Sequence, residues 1–99
     1  MADRVVVRLD TGRGSETRWL DPEAAAIVCR PTSIELLRAV ARDEPESIRA
    51  AARLVDRDVH QVHDNLRELG RIGLVEFERS GRSRAPIVPY ERVSVEIDL

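Results

Sequence analysis

The spacing of apolar residues changes once along this chain, and that change limits the folds open to it. From Ile34 to Leu69 apolar residues recur every third or fourth position, as one face of successive helices requires. From Leu74 onward they alternate with polar residues, as in half-buried strands, and Gly70 and Gly73 mark the switch. Ahead of the helical block, residues 4–10 (RVVVRLD) are rich in β-branched side chains and read as a strand. Residues 11–15 form a turn-rich break, and residues 16–20 (ETRWL) return as a second strand. The chain is therefore expected to be α+β.

Local signals set the helix limits. Asp21 caps a short helix through residues 24–28, with Pro22 in its first turn. Thr32 and Glu35 fit a capping box for the next helix, whose buried stripe is expected at Ile34, Leu37 and Val40/Ala41. Pro45 ends that helix by disfavouring helical backbone at Glu44. Ser47 caps a further helix to about Val55, with Ile48, Ala51, Ala52 and Val55 on one face. Asp58 and Gln61 repeat the capping-box pattern, and Val59, Val62, Leu66 and Leu69 form the stripe that follows. Residues 74–79 then read as a strand, 80–83 as a turn, Ile87-Val88 as the returning strand and 93–97 as a final strand.

Only Trp19, Phe77 and Tyr90 are aromatic, so the core must be aliphatic. A chain of 99 residues has a thin one, burying roughly 60–65% of its unfolded surface. All 16 basic residues are Arg; against 18 acids they leave a net charge of −2, which argues mildly against nucleic acid. The distribution matters more than the sum. Residues 47–84 carry eight Arg and six acids, and Arg79, Arg82 and Arg84 fall within six residues with no acid between them. The lone Cys29 excludes an internal disulfide. The first residues do not read as a signal peptide, and no apolar run approaches a membrane span, so a soluble, cytoplasmic protein with no membrane partner is expected.

Two helices joined by a tight turn pack closely when the first carries a small residue mid-way and the second an apolar residue that locks onto it. Ala52, the Asp56-Arg57 turn and Val62 meet that requirement, Leu69 anchors the end of the second helix, and residues 73–75 lead into a hairpin, or wing. In the spacing of Ala52, Asp58, Val62, Leu69 and Gly73, residues 47–79 resemble the MarR-type winged-helix family. From about Asp21 to Leu99 the chain more closely resembles a group of small archaeal, chiefly haloarchaeal, winged-helix regulators. The stretches ESIRAAARLVDRDVHQVHDNL, GLVEFE and PIVPYERVSVEIDL carry that likeness. The resemblance implies a winged helix-turn-helix that binds duplex DNA in transcriptional control. Arg57 departs from the wider MarR pattern, which has an apolar residue there.

A recognition helix at about 58–70 presents His60, Gln61, His63, Asp64 and Arg67 opposite Val62 and Leu66. Gln can bond adenine through two hydrogen bonds, His can donate to guanine, and Asp can accept from cytosine N4. His60, Gln61, His63 and Asp64 are the base-reading candidates, with His60 and Gln61 in the first turn, where a recognition helix reaches deepest. Asp64 is the weakest of them, because phosphates repel a carboxylate. Ser47, Arg49, Arg57, Arg67, Arg79, Arg82 and Arg84 are the candidates for the DNA backbone, with a wing at about 74–89 on the backbone or minor groove. The plain alternative for both sets is a solvated polar face.

His60 and His63 would need two more ligands to close a metal site, so no metal is expected, and Cys29 reads as structural. There is no nucleophile–base set and no Gly-rich phosphate loop, so neither an enzyme nor a cofactor is expected. The expected organisation is an N-terminal strand and short-helix extension over residues 1–30, then a winged helix-turn-helix over 31–99. It would read double-stranded DNA as a homodimer, with any effector left open. Residues 5–9 and 93–97 are candidates either for the dimer contact or for pairing with each other. The competing reading is a winged-helix interaction module, an antitoxin or a subunit of a transcription assembly, that uses the same helices without reading DNA.

Overall fold

The computed structural model describes residues 3–99. Its elements run β1 (Val5–Thr11), β2 (Gly14–Leu20), α1 (Pro22–Cys29), α2 (Pro31–Asp43), α3 (Ile48–Val55), α4 (Val59–Arg71), β3 (Glu76–Ser80), β4 (Ser83–Ile87) and β5 (Arg92–Glu96). Among the described residues the architecture is thus α+β, with four helices and two small antiparallel sheets. β1 and β2 form a hairpin with Val5 opposite Leu20 and Thr11 opposite Gly14. β5 pairs antiparallel along the other side of β1, with Arg8 opposite Ser94 and Leu9 opposite Val93, so the order is β2-β1-β5. The first and last strands therefore pair with each other within one chain. β3 and β4 form the second sheet, with Phe77 opposite Pro86 and Arg79 opposite Arg84.

Three of the four helices start where a side chain caps them. Asp21 accepts from the Ala24 amide at 2.8 Å, Ser47 Oγ from Ala50 at 3.0 Å, and Asp58 Oδ2 from His60 at 3.0 Å and Gln61 at 3.3 Å. Each satisfies amides that the first helical turn leaves free. The start of α2 corrects the sequence expectation. Pro31 occupies its first position and Arg30 stands at the cap with no side-chain bond, so Thr32 lies inside the helix and no capping box forms there. A proline has no amide to satisfy and its fixed φ suits the first helical position, which moves the start upstream.

The buried stripe of α2 is also displaced. It runs through Ser33, Leu36 and Val40, while Ile34 is exposed and Leu37 half-buried. α2 packs on α3 and α4 through one side and faces β5 with the other, so its apolar residues are shared between two directions. The strand boundaries shift as well: β3 begins at Glu76 rather than Leu74, β4 runs from Ser83 rather than from Ile87, and β5 spans Arg92–Glu96.

Leu74 and Val75, read as strand residues, instead divide the core between them. Val75 joins the cluster of Leu36, Val40, Ala51, Ala52, Val55, Val62, Leu66 and Leu69 that α2, α3 and α4 close over. Leu74 joins Val7, Leu9, Val28 and Tyr90, which tie β1 to α1 and to the segment before β5. Neighbouring residues of an extended segment point to opposite sides, so this short stretch holds both clusters. It is fixed by the Leu74 amide donating to the Leu69 carbonyl at 2.9 Å.

Candidate nucleic-acid interface

α3 and α4 meet through a turn held by its backbone. Asp56 adopts left-handed φ of 54°, and the Arg57 amide donates to the Ala52 carbonyl at 3.1 Å. Ala52 is buried where the two helices cross and Val62 is fully buried against the same cluster. With Val62, Leu66 and Leu69 turned inward, the outward side of α4 carries His60, Asp64 and Arg67, since one residue advances the helix by about 100°. His63 lies on the flank toward the β3–β4 hairpin, and Gln61 on the opposite flank, about 20° from Glu68 in projection.

The hairpin and the N-terminus of α3 build the walls beside this face. Ser47, Ile48, Arg49, Val59, His60, His63, Ser83 and Arg84 surround an open hollow of about 490 Å³. A smaller one of about 270 Å³ adjoins it, between His63, Arg67 and Gly70 of α4 and Phe77 and Arg84 of the hairpin. The Arg84 guanidinium lies 4.6 Å from the centroid of the Phe77 ring, a cation–π contact that holds the charge over the groove. Arg79 is directly opposite Arg84 in the ladder. Like charges opposite one another destabilise a ladder. Glu76 and Glu78 alternate onto the other face of β3, and among the described residues Arg79, Arg82 and Arg84 have no carboxylate within ion-pair distance.

The structure thus gathers His60, His63, Arg67, Ser47, Arg49 and Arg84 around one groove, with Arg79 and Arg82 exposed further along the hairpin. The side chain of His60 is 89% exposed. Ser47 spends an oxygen lone pair on its cap, which leaves its hydroxyl proton free to donate. Asp64 sits between an imidazole and a guanidinium, its Oδ1 3.7 Å from His63 Nδ1 and 3.6 Å from Arg67 Nη2. Gln61 is exposed but outside the groove.

Arg57 takes a different role from the one its charge suggested. Half-buried, it donates from Nη1 to Asn65 Oδ1 at 3.2 Å and lies 3.5 Å from the Thr32 carbonyl. Asn65 Nδ2 in turn donates to Ser33 Oγ at 3.0 Å, and both residues are buried. This chain of polar contacts fastens the start of α2 to α4, and the sequence reading missed it. Half of the signal was available: Asn65 stands three residues after Val62, a polar residue in phase with a buried stripe, whereas Ser33 falls in phase only with the stripe that the structure shows for α2. Arg30 adds a second tie, donating to Glu68 Oε1 at 2.9 Å.

Among the described residues, no group of three or more His, Cys, Asp or Glu side chains could hold a metal ion, and no helix is long and apolar enough to cross a membrane. The model of the family described as HVO_A0114 matches residues 28–95, more than half of the chain. The chain belongs to the HVO_A0114 family. The HVO_A0114 match takes in α2, α3, α4, the hairpin and most of β5, and leaves β1 and β2 outside it. No curated protein and no solved structure matches the chain.

Proposed function

We propose that this HVO_A0114 protein is a winged helix-turn-helix regulator of transcription that binds duplex DNA in the cytoplasm, with α4 in the major groove and the β3–β4 hairpin as its wing. The observation that carries the reading is Arg84 facing the outward polar side of α4 across one open groove, with Arg79 and Arg82 exposed further along the hairpin and none of the three paired with a carboxylate among the described residues. Unpaired guanidinium groups suit phosphate, and the imidazoles of His60 and His63 suit base edges. Arg49 and Ser47, at the start of α3, extend the phosphate-binding rim. The site residues then divide by role. Arg79, Arg82 and Arg84 position the protein on the backbone; His60 and His63 read sequence; Arg67 is steadied by Asp64. One α4 offers few base contacts, and a homodimer doubles them over two half-sites about one helical turn apart.

The test is an anisotropy titration of labelled duplexes, one selected from a random pool and one of random sequence, over a range of salt. Arg79→Ala and Arg82→Ala are the clean probes, because Arg84 also stacks on Phe77. Each is expected to weaken both duplexes alike and to lower the slope of log affinity against log salt by about one for every phosphate no longer neutralised. His60→Ala is expected to relax preference at one position of each half-site by about 1–3 kcal/mol. An unchanged slope would take the hairpin off the phosphates. Wild-type protein that ignores duplex DNA would favour the interaction module, to which the net charge of −2 is better suited.

A further inference from the structure

The three-stranded sheet ends on β5, which among the described residues has β1 on one side and no strand on the other. An uncovered edge leaves a row of backbone N–H and C=O groups without partners, and chains usually blunt it with Pro, Lys or a bulge. β5, Arg-Val-Ser-Val-Glu, contains neither Pro nor Lys. Its residues are instead symmetric about Ser94 in shape and opposite about it in charge.

We propose that β5 pairs antiparallel with β5 of a second copy of this chain about a two-fold axis through Ser94. The proposal deepens the homodimer part of the DNA-binding reading and does not rest on the DNA part. On that axis Arg92 stands opposite Glu96 of the second copy, Val93 opposite Val95, and Ser94 opposite its own symmetry mate. A two-fold contact must be self-complementary, and this register gives two ion pairs of the right sign with no like pair. Axes through Val93 or Val95 would set Arg92 or Glu96 against Ser94 and form no ion pair within β5. A one-residue slip also turns every side chain to the other face.

The faces agree with this register. Arg92, Ser94 and Glu96 alternate onto one side, where Glu96 already meets Arg8 and Arg92 stands opposite Asp10. The second copy's charges complete a ladder that this chain begins. Val93 and Val95 turn to the other side, into a groove between α2 and β5 that also has Ile34 and Leu37 in its wall. Ile34 and Val95 are 39% and 37% exposed in the single chain, and the valines of a second β5 would continue that apolar wall. The opposite edge, β2, is the poorer match. A two-fold through Thr17 would set Ser15 against Trp19, and its Glu16 and Arg18 already pair within the strand at 3.0 Å.

Directly opposed residues of an antiparallel pair have Cα atoms about 4.5–5.5 Å apart, within the span of a disulfide. Ser94→Cys in a Cys29→Ser background is therefore expected to give a covalent dimer on copper-catalysed air oxidation, read on a non-reducing gel. Arg92→Cys in the same background is expected to stay monomeric, because its symmetry mate lies about 13 Å away along the strands. Thr17→Cys is expected to stay monomeric too. Sedimentation equilibrium of the wild-type chain should give the mass of a dimer. A monomeric wild type, equal cross-linking at all three positions, or cross-linking at Thr17→Cys alone would overturn the proposal. The same preparations titrated with duplex DNA separate the two readings. Cross-linking at Ser94→Cys without DNA binding keeps the dimer and removes the reader; DNA binding by a monomer does the reverse.

Discussion

Tyr90 and Gly73 hold the junction between helices and sheet through one hydrogen bond, the tyrosine hydroxyl donating to the glycine carbonyl at 3.3 Å. Gly73 has φ of +83°, a backbone conformation that favours glycine, and a Cβ there would also push aside the flexible end of Arg18, whose Nε would lie 2.9 Å away. Burial raises the phenol of Tyr90 above its ordinary value of 10.0, with the nearby Arg18 guanidinium working the other way. As pH passes about 10 the unfolded chain gives up this proton before the folded one does. The stability contributed is whole below that pH and is lost as pH rises through the higher folded value. Tyr90→Phe is expected to lose about 0.5–1.5 kcal/mol at neutral pH with the hydrogen bond, and to flatten the alkaline loss of stability. Urea denaturation at stepped pH checks this. With no lysine and a single tyrosine in the chain, the ultraviolet absorbance of tyrosinate reports the same event directly. A variant whose stability falls as steeply as wild type above pH 10 would count against a raised phenol.

Between α4 and the hairpin, Gly70 decides how closely two elements approach. It lies inside the last turns of α4, where alanine favours a helix by about 1 kcal/mol. A Cβ there would stand 2.9 Å from Phe77 Cε2. Phe77 would have to move, and Arg84 is stacked on it. Gly70→Ala is therefore expected to cost about 1–2 kcal/mol despite the better propensity, and to weaken DNA affinity through a displaced wing. Thermal melting and the duplex titration measure the two effects; a stabilised variant of unchanged affinity would show that the ring moves freely. The sequence carried the elements well where the determinant is local. Asp21, Ser47 and Asp58 cap because a side chain meets amides two or three residues on. It was misleading where the determinant is tertiary. The phase of α2 is set by the α3–α4 pair on one side and by β5 on the other, and no periodicity within α2 encodes that choice. The candidate site followed the same division. Unpaired charge on a short hairpin was legible from the run of Arg79, Arg82 and Arg84, whereas the turning inward of Arg57 depends on Asn65, a full two turns away.

Across the whole molecule, the family match and the folded unit do not coincide. The matched residues 28–95 contain most of β5, yet among the described residues β5 takes its only partner in the sheet from β1, which lies outside the match. Val7 and Leu9 of β1 are fully buried, and with Val28, Leu74 and Tyr90 they make up the second core cluster. Leu74 is covalently next to Val75, whose side chain belongs to the first cluster, so loosening one cluster is felt by the other. Removing residues 1–20 would strip β5 of its backbone partners and take Val7 and Leu9 from the core. Truncating one large buried aliphatic residue already costs about 2–5 kcal/mol, against a total stability of about 5–15 kcal/mol for a domain. A chain of residues 21–99 is therefore expected to lose its cooperative thermal transition while keeping much of its helical circular dichroism from α2, α3 and α4. Differential scanning calorimetry and the far-ultraviolet spectrum separate the two expectations. If residues 21–99 melt in one sharp transition within a few degrees of the full chain, β1 and β2 are an appendage and the helical cluster folds by itself. If the transition broadens or vanishes, the strand at one end of the chain is what holds the strand at the other.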